Sequence, residues 1–226
     1  KPSVRVSMFI IIPAYNEEKN IAGVISDLVA RYPEAKIVAV DDGSKDNTAE
    51  MAQKAGAIVL RHLINRGQGA ALATGTEYAL SQGAEIIVHF DADGQFEARD
   101  VTALVESIKS GQVEVVLGSR FLSRSNHIPF SKKYFILPLA RVVNFLFTGL
   151  WLSDAHNGLR ALSRRAAESI KIEQDRMAHN SEIIAQVKKN NLKFIEMPVT
   201  VKYHRYGQGF FGGLKIIKDL ILQKIC

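Results

Sequence analysis

The sequence feature that most restricts the fold is a regular alternation of short apolar runs with helix-like segments. Five runs have the length and composition of buried strands: residues 8–12, 36–40, 57–60, 85–90 and 113–117. Helix-like segments follow the first four runs. Hydrophobic strands that alternate with helices pair in parallel and are covered on both faces. The alternation therefore predicts an α/β fold with a mainly parallel sheet.

Proline and glycine mark several boundaries of these predicted elements. We expect the first strand to end at Pro13, and the first helix to end before Pro33. A short helix from about Thr48 should end at Gly56, because glycine readily adopts the left-handed conformation found at helix ends. Residues 69–80 are rich in Ala, Thr and Gly, which indicates a helix packed closely on a sheet.

The composition is that of one large globular domain rather than two. The chain has 226 residues, of which 47% are hydrophobic, and a formal net charge of +6. That charge favours phosphates, anionic lipid or nucleic acid as partners without choosing among them. The single cysteine, Cys226, excludes an internal disulfide and fits a reducing compartment. We find no signal peptide and no uninterrupted apolar span of bilayer length. Because the sequence stops within a helix-like apolar stretch, we expect the natural product to extend beyond Cys226.

The most informative polar stretch follows the fourth predicted strand. Asp91 and Asp93 stand one residue apart just past the strand end, with the carboxamide of Gln95 beside them. Ligands of open α/β sheets bind beyond the carboxyl ends of the strands. Two hard oxygen ligands at this spacing suit Mg²⁺ or Mn²⁺ that also binds water and phosphate oxygens. The alternative for the stretch taken alone is a simple Asp-Gly turn.

Polar loops follow the first three predicted strands as well, and they comprise Pro13–Glu18, Asp41–Ser44 and Asn65–Gly69. Tyr15 could stack on a base or a ribose, and Asp41 or Asp42 could accept hydrogen bonds from the edge of a nucleobase. The alternative is that residues 16–17 and 44–46 only cap the helices that follow. A cap does not require two adjacent aspartates or a tyrosine. Together the loops therefore favour a nucleotide site.

Five motifs in this order resemble the signature of family 2 glycosyltransferases: Pro13–Glu17, Asp41–Ser44, Asn65–Gly69, Asp91–Gln95 and Gly118–Phe121. The chain is most similar to the branch that contains dolichol-phosphate mannosyltransferases and bacterial polyprenyl-phosphate glycosyltransferases. The similarity extends from about residue 8 to about residue 210. It implies a single Rossmann-like GT-A domain over residues 1–209, with a mixed, mainly parallel sheet and helices on both faces. It also implies a nucleotide-sugar donor, a divalent metal and inversion at the anomeric carbon.

The resemblance assigns roles to residues of the strand-end loops. The implied donor-binding residues are Pro13, Tyr15, Glu17, Asp41, Asp42, Asn65, Gly69, Asp91 and Ala92. Asp91, Asp93 and Gln95 would hold Mg²⁺ or Mn²⁺. We expect Asp93, Arg120 and Arg124 to act directly in catalysis, because guanidinium groups match phosphate oxygens. The motif at residues 65–69 favours a UDP-sugar donor and leaves a GDP-sugar open.

The carboxyl-terminal third concerns the acceptor. Arg124, Arg160, Glu182 and Arg205 are the implied acceptor-binding residues. The chain departs from the family pattern at Leu159, which replaces an aromatic residue. It departs again at Gly209 and Phe210, which replace a Ser-Lys pair and so remove a cation expected near a lipid phosphate.

Three functional hypotheses remain at this point. A phosphate acceptor needs no general base, whereas a hydroxyl acceptor needs a positioned carboxylate. No Glu-Asp pair of the kind used by hydroxyl-directed relatives occurs around Asp154. We therefore favour transfer to a polyprenyl phosphate, either dolichyl or undecaprenyl. The alternatives are a family 2 enzyme with a saccharide or other hydroxyl acceptor, and an inactive nucleotide-binding module.

Two apolar stretches indicate a membrane surface. Residues 130–152 include a strongly apolar, aromatic-rich segment that Pro138, Arg141 and Asn144 interrupt, which favours an interfacial position over a membrane span. Residues 210–226 form a predicted amphipathic helix that suits a membrane surface, the protein core or a dimer interface equally well. We expect a cytoplasmic enzyme at the cytoplasmic face of a membrane, with no nucleic-acid partner. The oligomeric state stays open.

Overall fold

A computed structural model describes residues 6–123, 145–146, 148–154, 157–176 and 178–202. Seven strands of these residues form one sheet: β1 (Met8–Ala14), β2 (Lys36–Asp41), β3 (Ile58–Arg61), β4 (Ile86–His89), β5 (Val115–Ser119), β6 (Arg160–Ser163) and β7 (Phe194–Pro198). Their order is β3-β2-β1-β4-β6-β5-β7. Only β6 runs antiparallel to its neighbours, β4 and β5. The predicted mixed, mainly parallel sheet is confirmed.

Six helices of the described residues cover this sheet on both faces. They are α1 (Ile21–Arg31), α2 (Thr48–Lys54), α3 (Gln68–Ser81), α4 (Asp100–Lys109), α5 (Arg164–Ser169) and α6 (His179–Lys189). One buried cluster joins α1, α2 and α4 to one face of the sheet. A second joins α3, α5 and α6 to the other face. Neighbouring residues of β1 alternate between the clusters, since Ile10 belongs to the first and Ile11 to the second.

Helix α3 lies unusually close to the sheet because of its small residues. A Cβ atom at Gly75 would overlap the side chain of Ile11 and press on Val40. Side chains that would separate helix and sheet are therefore absent where α3 crosses β1 and β2. This close approach brings the start of α3 to the carboxyl edge of the sheet.

Two boundaries test the predictions from proline and glycine. The predicted end of β1 at Pro13 is wrong, because the strand continues to Ala14. The oxygen of Ala14 accepts from the Asp42 amide on the β2 side, so the neighbouring Pro13 faces β4. The β1–β4 ladder has already ended at Ile11, and the missing N–H of proline costs no ladder bond. The predicted stop at Gly56 is confirmed, since α2 ends at Lys54 and Gly56 has φ +97°.

Strands β6 and β7 have no counterpart among the five predicted strands. Both are short, and β7 contains Glu196 and Pro198, which are unusual in strands. Within the described ranges, no helix combines the length and hydrophobicity needed to cross a bilayer.

Candidate active site

The carboxyl ends of β1 to β5 lie along one edge of the sheet, because these five strands point the same way. Strand β6 is antiparallel, so its amino end at Arg160 lies at this same edge. The edge therefore collects the loops after five strands and the segment that precedes β6. All the candidate residues of the described chain belong to these loops or to the elements next to them.

The loop after β4 presents two carboxylates at this edge. Phe90 and Ala92 are buried in the core and anchor the loop, while Asp91 and Asp93, which alternate with them, remain partly accessible. The Gln95 amide donates to Asp93 Oδ1 over 3.0 Å, which closes a tight turn at Gly94. The Asp-Gly turn proposed as an alternative is therefore present. It coexists with the two accessible carboxylates, so the turn and a metal site do not exclude each other.

Asp91 is the more enclosed of the two carboxylates. Gln68 Nε2 donates to its Oδ1 over 2.8 Å, and a Cβ atom at Gly158 would overlap its carboxylate. Burial and the nearby charge of Asp93 raise the pKa of Asp91 to about 6, against the opposing charges of Arg160 and Arg120. Ionisation of this carboxyl is therefore less favourable than that of an exposed aspartate, and a further cation beside it would favour the ionised form.

The donor set fits a divalent cation that is shared with a substrate. In the part of the chain that the structure describes, no group of three or more His, Cys, Asp and Glu side chains converges on a metal position. Asp91 and Asp93 could supply two carboxylates, which would leave the other coordination positions to diphosphate oxygens and water. Mg²⁺ and Mn²⁺ accept such sites, whereas zinc prefers a set of protein ligands.

The two aspartates at the carboxyl end of β2, Asp41 and Asp42, are buried and hold neighbouring loops. Asp42 accepts from His62 Nδ1 over 2.7 Å, from the Arg66 amide over 2.9 Å and from the Gly67 amide over 2.6 Å. Asp41 accepts from the Ser44 amide over 3.0 Å and pairs with Arg61 Nε over 2.9 Å. Asp42 thus fixes the loop after β3. Asp41 fixes the turn after β2 to the end of β3.

The loops after β1 and β2 are fastened to each other. The Asn16 amide donates to Ser44 Oγ over 2.9 Å, and the Lys45 amide donates to Asn16 Oδ1 over 3.0 Å. The Glu17 amide donates to Thr48 Oγ1 over 2.8 Å. These bonds join two loops, so the capping alternative does not describe Asn16. It does describe Asp46, which accepts from the first amide of α2.

The outer wall of this region combines aromatic and apolar side chains. Tyr15 follows β1 and is 43% exposed, so part of this residue is accessible to a ligand. Glu17 lies two residues further, where its carboxylate accepts from the Asn20 side chain over 2.8 Å. Leu63, fully exposed after β3, borders a cavity of about 270 Å³ whose other lining residues are Gly43, Ser44, Arg61 and His62.

The start of α3 is covered by the chain segment that precedes α6. The Gly69 amide donates to Asp175 O over 2.8 Å, and a Cβ atom at Gly69 would overlap Gln174 O. Glu182 accepts from the amides of residues 173 and 174 and thereby holds this segment. Burial raises the pKa of Glu182, while the accepted bonds act against that shift. Asn65 lies just before this region and donates to Asp42 O over 3.3 Å.

Arg120, directly after β5, is held by a buried carboxylate. Its Nε and Nη2 donate to Asp154 Oδ2 and Oδ1 over 2.7 and 2.8 Å, and its amide donates to Oδ2 over 3.0 Å. Burial acts to raise the pKa of Asp154, but the bonds to Arg120 outweigh it and hold that pKa below its ordinary value. Glu196 accepts from the amides of Ser153 and Asp154. Glu196 therefore fixes the backbone that carries Asp154, and the carboxylate of Asp154 in turn orients the guanidinium of Arg120.

Arg160 lies behind Asp91 and is 2% exposed. Its guanidinium donates to Asn157 O and to the side chain of Asn180. Burial lowers the pKa of Arg160 to about 10, and the charge of Asp91 opposes this shift. The structure therefore surrounds Arg160 with protein atoms, and its charge acts on the carboxylate in front of it.

Exposed apolar side chains continue the edge beyond Arg120. Leu122 is 46% exposed, and Trp151 is 63% exposed with its ring 5.7 Å from that of Phe145. Phe145 and Trp151 belong to the described part of the predicted interfacial segment 130–152. Arg124, residues 130–144, Arg205 and residues 210–226 lie outside the described residues, so their predicted roles stay predictions.

Sequence reasoning missed four side chains that organise this edge. Gln68 stands within the motif Asn65–Gly69, in which the family resemblance gives roles only to Asn65 and Gly69. For Asp154, the sequence offers only the absence of a Glu-Asp pair around it. His62 stands two residues past the predicted strand 57–60, and its place near a strand end carried signal. Glu196 carried none, because an isolated glutamate in an unpredicted strand is indistinguishable from a surface residue.

Comparisons with known proteins agree with this geometry. The model of the family described as Glycosyl transferase family 2 matches residues 9–171. The chain is 33% identical to a UDP-N-acetylglucosamine–dolichyl-phosphate N-acetylglucosaminyltransferase of Methanococcus voltae, with 96% of each protein covered. It is 24% identical to a polyprenol monophosphomannose synthase of Mycolicibacterium smegmatis, over 92% of this chain and 82% of that protein.

The fold also matches a solved structure. The glucosyl-3-phosphoglycerate synthase of Mycobacterium tuberculosis, in complex with Mn²⁺, uridine diphosphate and phosphoglyceric acid, superposes with a TM-score of 0.72. The two proteins are 18% identical, and the superposition covers 96% of this chain and 78% of that one. The sequence motifs, the sheet topology and the family match lead to the same conclusion: this chain belongs to glycosyl transferase family 2 and is a glycosyltransferase of GT-A fold.

Proposed function

We propose that this enzyme transfers a sugar from a nucleotide to a polyprenyl phosphate at a membrane surface, with inversion at the anomeric carbon and with a divalent metal. The observation that carries the proposal is the sharing of one sheet edge by the Asp91–Asp93 pair and by Arg120. Carboxylates suit the metal–diphosphate of a donor, and guanidinium groups suit the phosphate of an acceptor. Two relatives named for lipid-phosphate acceptors support this choice.

On the donor side, the strand-end loops surround the nucleotide. Tyr15 stacks on its base or ribose, Asp41 and Asp42 shape the wall beside the base, and Asp91 and Asp93 face the diphosphate. The further donor residues are Pro13, Glu17, Asn65, Gly69 and Ala92. Mg²⁺ or Mn²⁺, held by Asp91, Asp93 and Gln95, would stabilise the charge of the leaving diphosphate. We favour a UDP-sugar, since the relative with 33% identity is named for one.

On the acceptor side, a phosphate oxygen attacks the anomeric carbon from the face opposite the diphosphate. One C–O bond forms as the other breaks, so the nucleoside diphosphate leaves with the bonding electrons and the anomeric configuration inverts. The attacking oxygen is already anionic and needs no base. Arg120, with Arg124 and Arg205, compensates the phosphate charge, while Arg160 and Glu182 support the acceptor side from within the fold.

Asp154 argues against a hydroxyl acceptor. It is the buried carboxylate closest to Arg120, but both of its oxygens bind that guanidinium. The pairing also lowers the pKa of Asp154, which makes it a weak base. An apolar rim of Leu122, Phe145 and Trp151 beside Arg120 suits the lipid end of a polyprenyl phosphate at the cytoplasmic face of a membrane.

The proposal is tested by transfer from radiolabelled donors in detergent. UDP-glucose, UDP-N-acetylglucosamine and GDP-mannose are supplied one at a time. Each reaction contains either dolichyl or undecaprenyl phosphate, and either Mg²⁺ or Mn²⁺. We expect label in the organic phase with at least one donor, and loss of that label with a chelator. Parallel reactions contain soluble glycans. Label only in the glycans would overturn the lipid-phosphate acceptor, and full activity in excess chelator would overturn the metal requirement.

A further inference from the structure

Gln68 is the first residue of α3, and its side chain reaches across the sheet edge to Asp91. Its Nε2 donates to Asp91 Oδ1 over 2.8 Å. The donor is a neutral carboxamide, so it fixes the direction of the carboxylate without neutralising its charge. A lysine in this place would pair with Asp91 and compete with any cation.

Gly158 limits the carboxylate of Asp91 from another direction. A Cβ atom at residue 158 would overlap that carboxylate, so only glycine leaves the space that it occupies. Gly158 precedes β6 and belongs to the acceptor-side segment, whereas Gln68 belongs to the donor-side loop. Asp91 therefore lies where the two sides meet, with one oxygen bonded and its position restricted by backbone.

The bond from Gln68 has no evident purpose in starting the helix. The residue before α3 is Gly67, and no side chain caps the helix there. The amides of Gly69 and Ala70 donate instead to Asp175 O. The Gln68 side chain thus serves the carboxylate and not the helix terminus.

We infer that Gln68 is a positioning residue, which holds the Asp91 carboxylate in the orientation that receives the metal–diphosphate of the donor. This inference rests on the proposed function, because it assigns a task within the proposed donor site. It goes beyond that proposal by placing metal affinity under the control of a residue outside the proposed set of metal ligands.

The test compares three variants with the wild type: one removes the hydrogen-bond donor, one adds a charge and one is a control at another position. Gln68→Met keeps the length of the side chain and removes the donor. Gln68→Lys keeps a donor and adds a positive charge beside Asp91. Gln82→Met is the matched control, because Gln82 is exposed just past the other end of the same helix.

Binding of Mn²⁺ is measured by electron paramagnetic resonance in the presence of UDP, and again with GDP. We expect Gln68→Met to weaken Mn²⁺ binding about 10- to 150-fold, the range for loss of one hydrogen bond to a charged group. Gln68→Lys should weaken it further, because its charge competes with the cation. Gln82→Met should bind as the wild type does. UDP binding in excess chelator, measured by calorimetry, should be unchanged in Gln68→Met and in Gln82→Met.

A purely structural role predicts a different pattern. It would lower the melting temperature of Gln68→Met and Gln68→Lys alike and leave Mn²⁺ affinity within twofold of the wild type, which would overturn the inference. If Gln68→Met fails to fold, Gln68→Lys and the shorter Gln68→Asn provide the same readout. A wild type that binds nucleotide but no Mn²⁺ would overturn the metal requirement of the proposed function, and the inference with it.

Discussion

The two halves of the candidate site are built on different principles. The donor half uses the loops after β1, β2, β3 and β4, which are all parallel strands, and its charged groups are mainly carboxylates. The acceptor half uses the loop after β5 together with the segment before β6, which is antiparallel. Its principal cationic groups are the guanidiniums of Arg120, which pairs with Asp154, and of Arg160, which is buried. In the proposed function, donor recognition would therefore follow from the repeating β-α pattern, and acceptor recognition would depend on one strand that breaks it.

The largest predicted effect comes from removing a proposed metal ligand of the donor half. Replacement of Asp93 by alanine removes a proposed metal ligand from the donor half. Loss of several kcal/mol of leaving-group stabilisation corresponds to a decrease in turnover of about 10³-fold or more. Turnover with any of the donor sugars, measured by product formation, is the readout.

Asp27→Ala is the control for Asp93→Ala, because Asp27 is an exposed aspartate on α1 that lines the same cleft of about 800 Å³ as Asp93. It should retain wild-type turnover. Both variants should melt near the wild-type temperature, since neither side chain belongs to the core. Substantial turnover of Asp93→Ala would mean that this aspartate only forms the turn at Gly94 and is not needed to hold a metal.

The second prediction separates the acceptor half from the donor half. Asp154→Ala leaves the Arg120 guanidinium without the carboxylate that orients it. Breaking such a largely buried pair costs about 3 kcal/mol of folding stability. We expect the KM for lipid phosphate to rise roughly 10- to 100-fold, in line with about 1.4 kcal/mol per tenfold. Nucleotide affinity, measured by calorimetry, should change less than threefold.

Asp154→Asn, which keeps the size of the side chain, should show a smaller rise in the acceptor KM. The two halves would not be separable if Asp154→Ala weakened nucleotide binding as much as it raised the acceptor KM. In that case Asp154 would act on the whole edge through the fold.

The same contrast explains how much the sequence could predict. Parallel strands place their carboxyl ends together, so the loops at Tyr15, Asp42 and Asp91 could be assigned to one edge from the order of elements alone. Arg160 follows no such rule, because it stands at the amino end of an antiparallel strand too short to recognise. Its burial behind Asp91, and the chain of bonds from Glu196 through Asp154 to Arg120, depend on packing between distant segments. Sequence patterns describe local periodicity and do not encode those contacts.

The third prediction concerns the wall of the donor half. Asp42→Ala removes an acceptor from His62 and from the amides of Arg66 and Gly67. Leaving buried donors unsatisfied costs about 1–3 kcal/mol. We expect nucleotide affinity to fall about tenfold, because the loop after β3 loses its fixed position. Calorimetric titration with UDP and with GDP is the measurement.

Asp41→Ala offers a comparison for Asp42→Ala within the same loop. It breaks the link to Arg61, which is largely exposed, and so should destabilise the fold less. If both variants bind UDP and GDP as the wild type does, neither aspartate shapes the donor site.

The smallest predicted effect is the pH dependence of stability that Asp154 confers on the acceptor half. The pKa of Asp154 in the folded protein lies below its ordinary value of 3.8. An unfolded chain therefore binds a proton at Asp154 more readily than the folded protein does. The stabilisation is fully present well above pH 3.8, and it is lost as the pH falls through the folded-state pKa.

Urea unfolding at a series of pH values from 6 down to 3, roughly the window in which carboxyl groups titrate, measures this contribution. Wild-type stability should decrease more steeply with acid than that of Asp154→Asn, whose side chain does not titrate. Other carboxyl groups contribute equally to both proteins, so the difference between the two curves isolates Asp154. Parallel curves over the whole range would mean that the Arg120–Asp154 pair does not stabilise the ionised carboxylate. The guanidinium at the acceptor edge would then be oriented by other contacts.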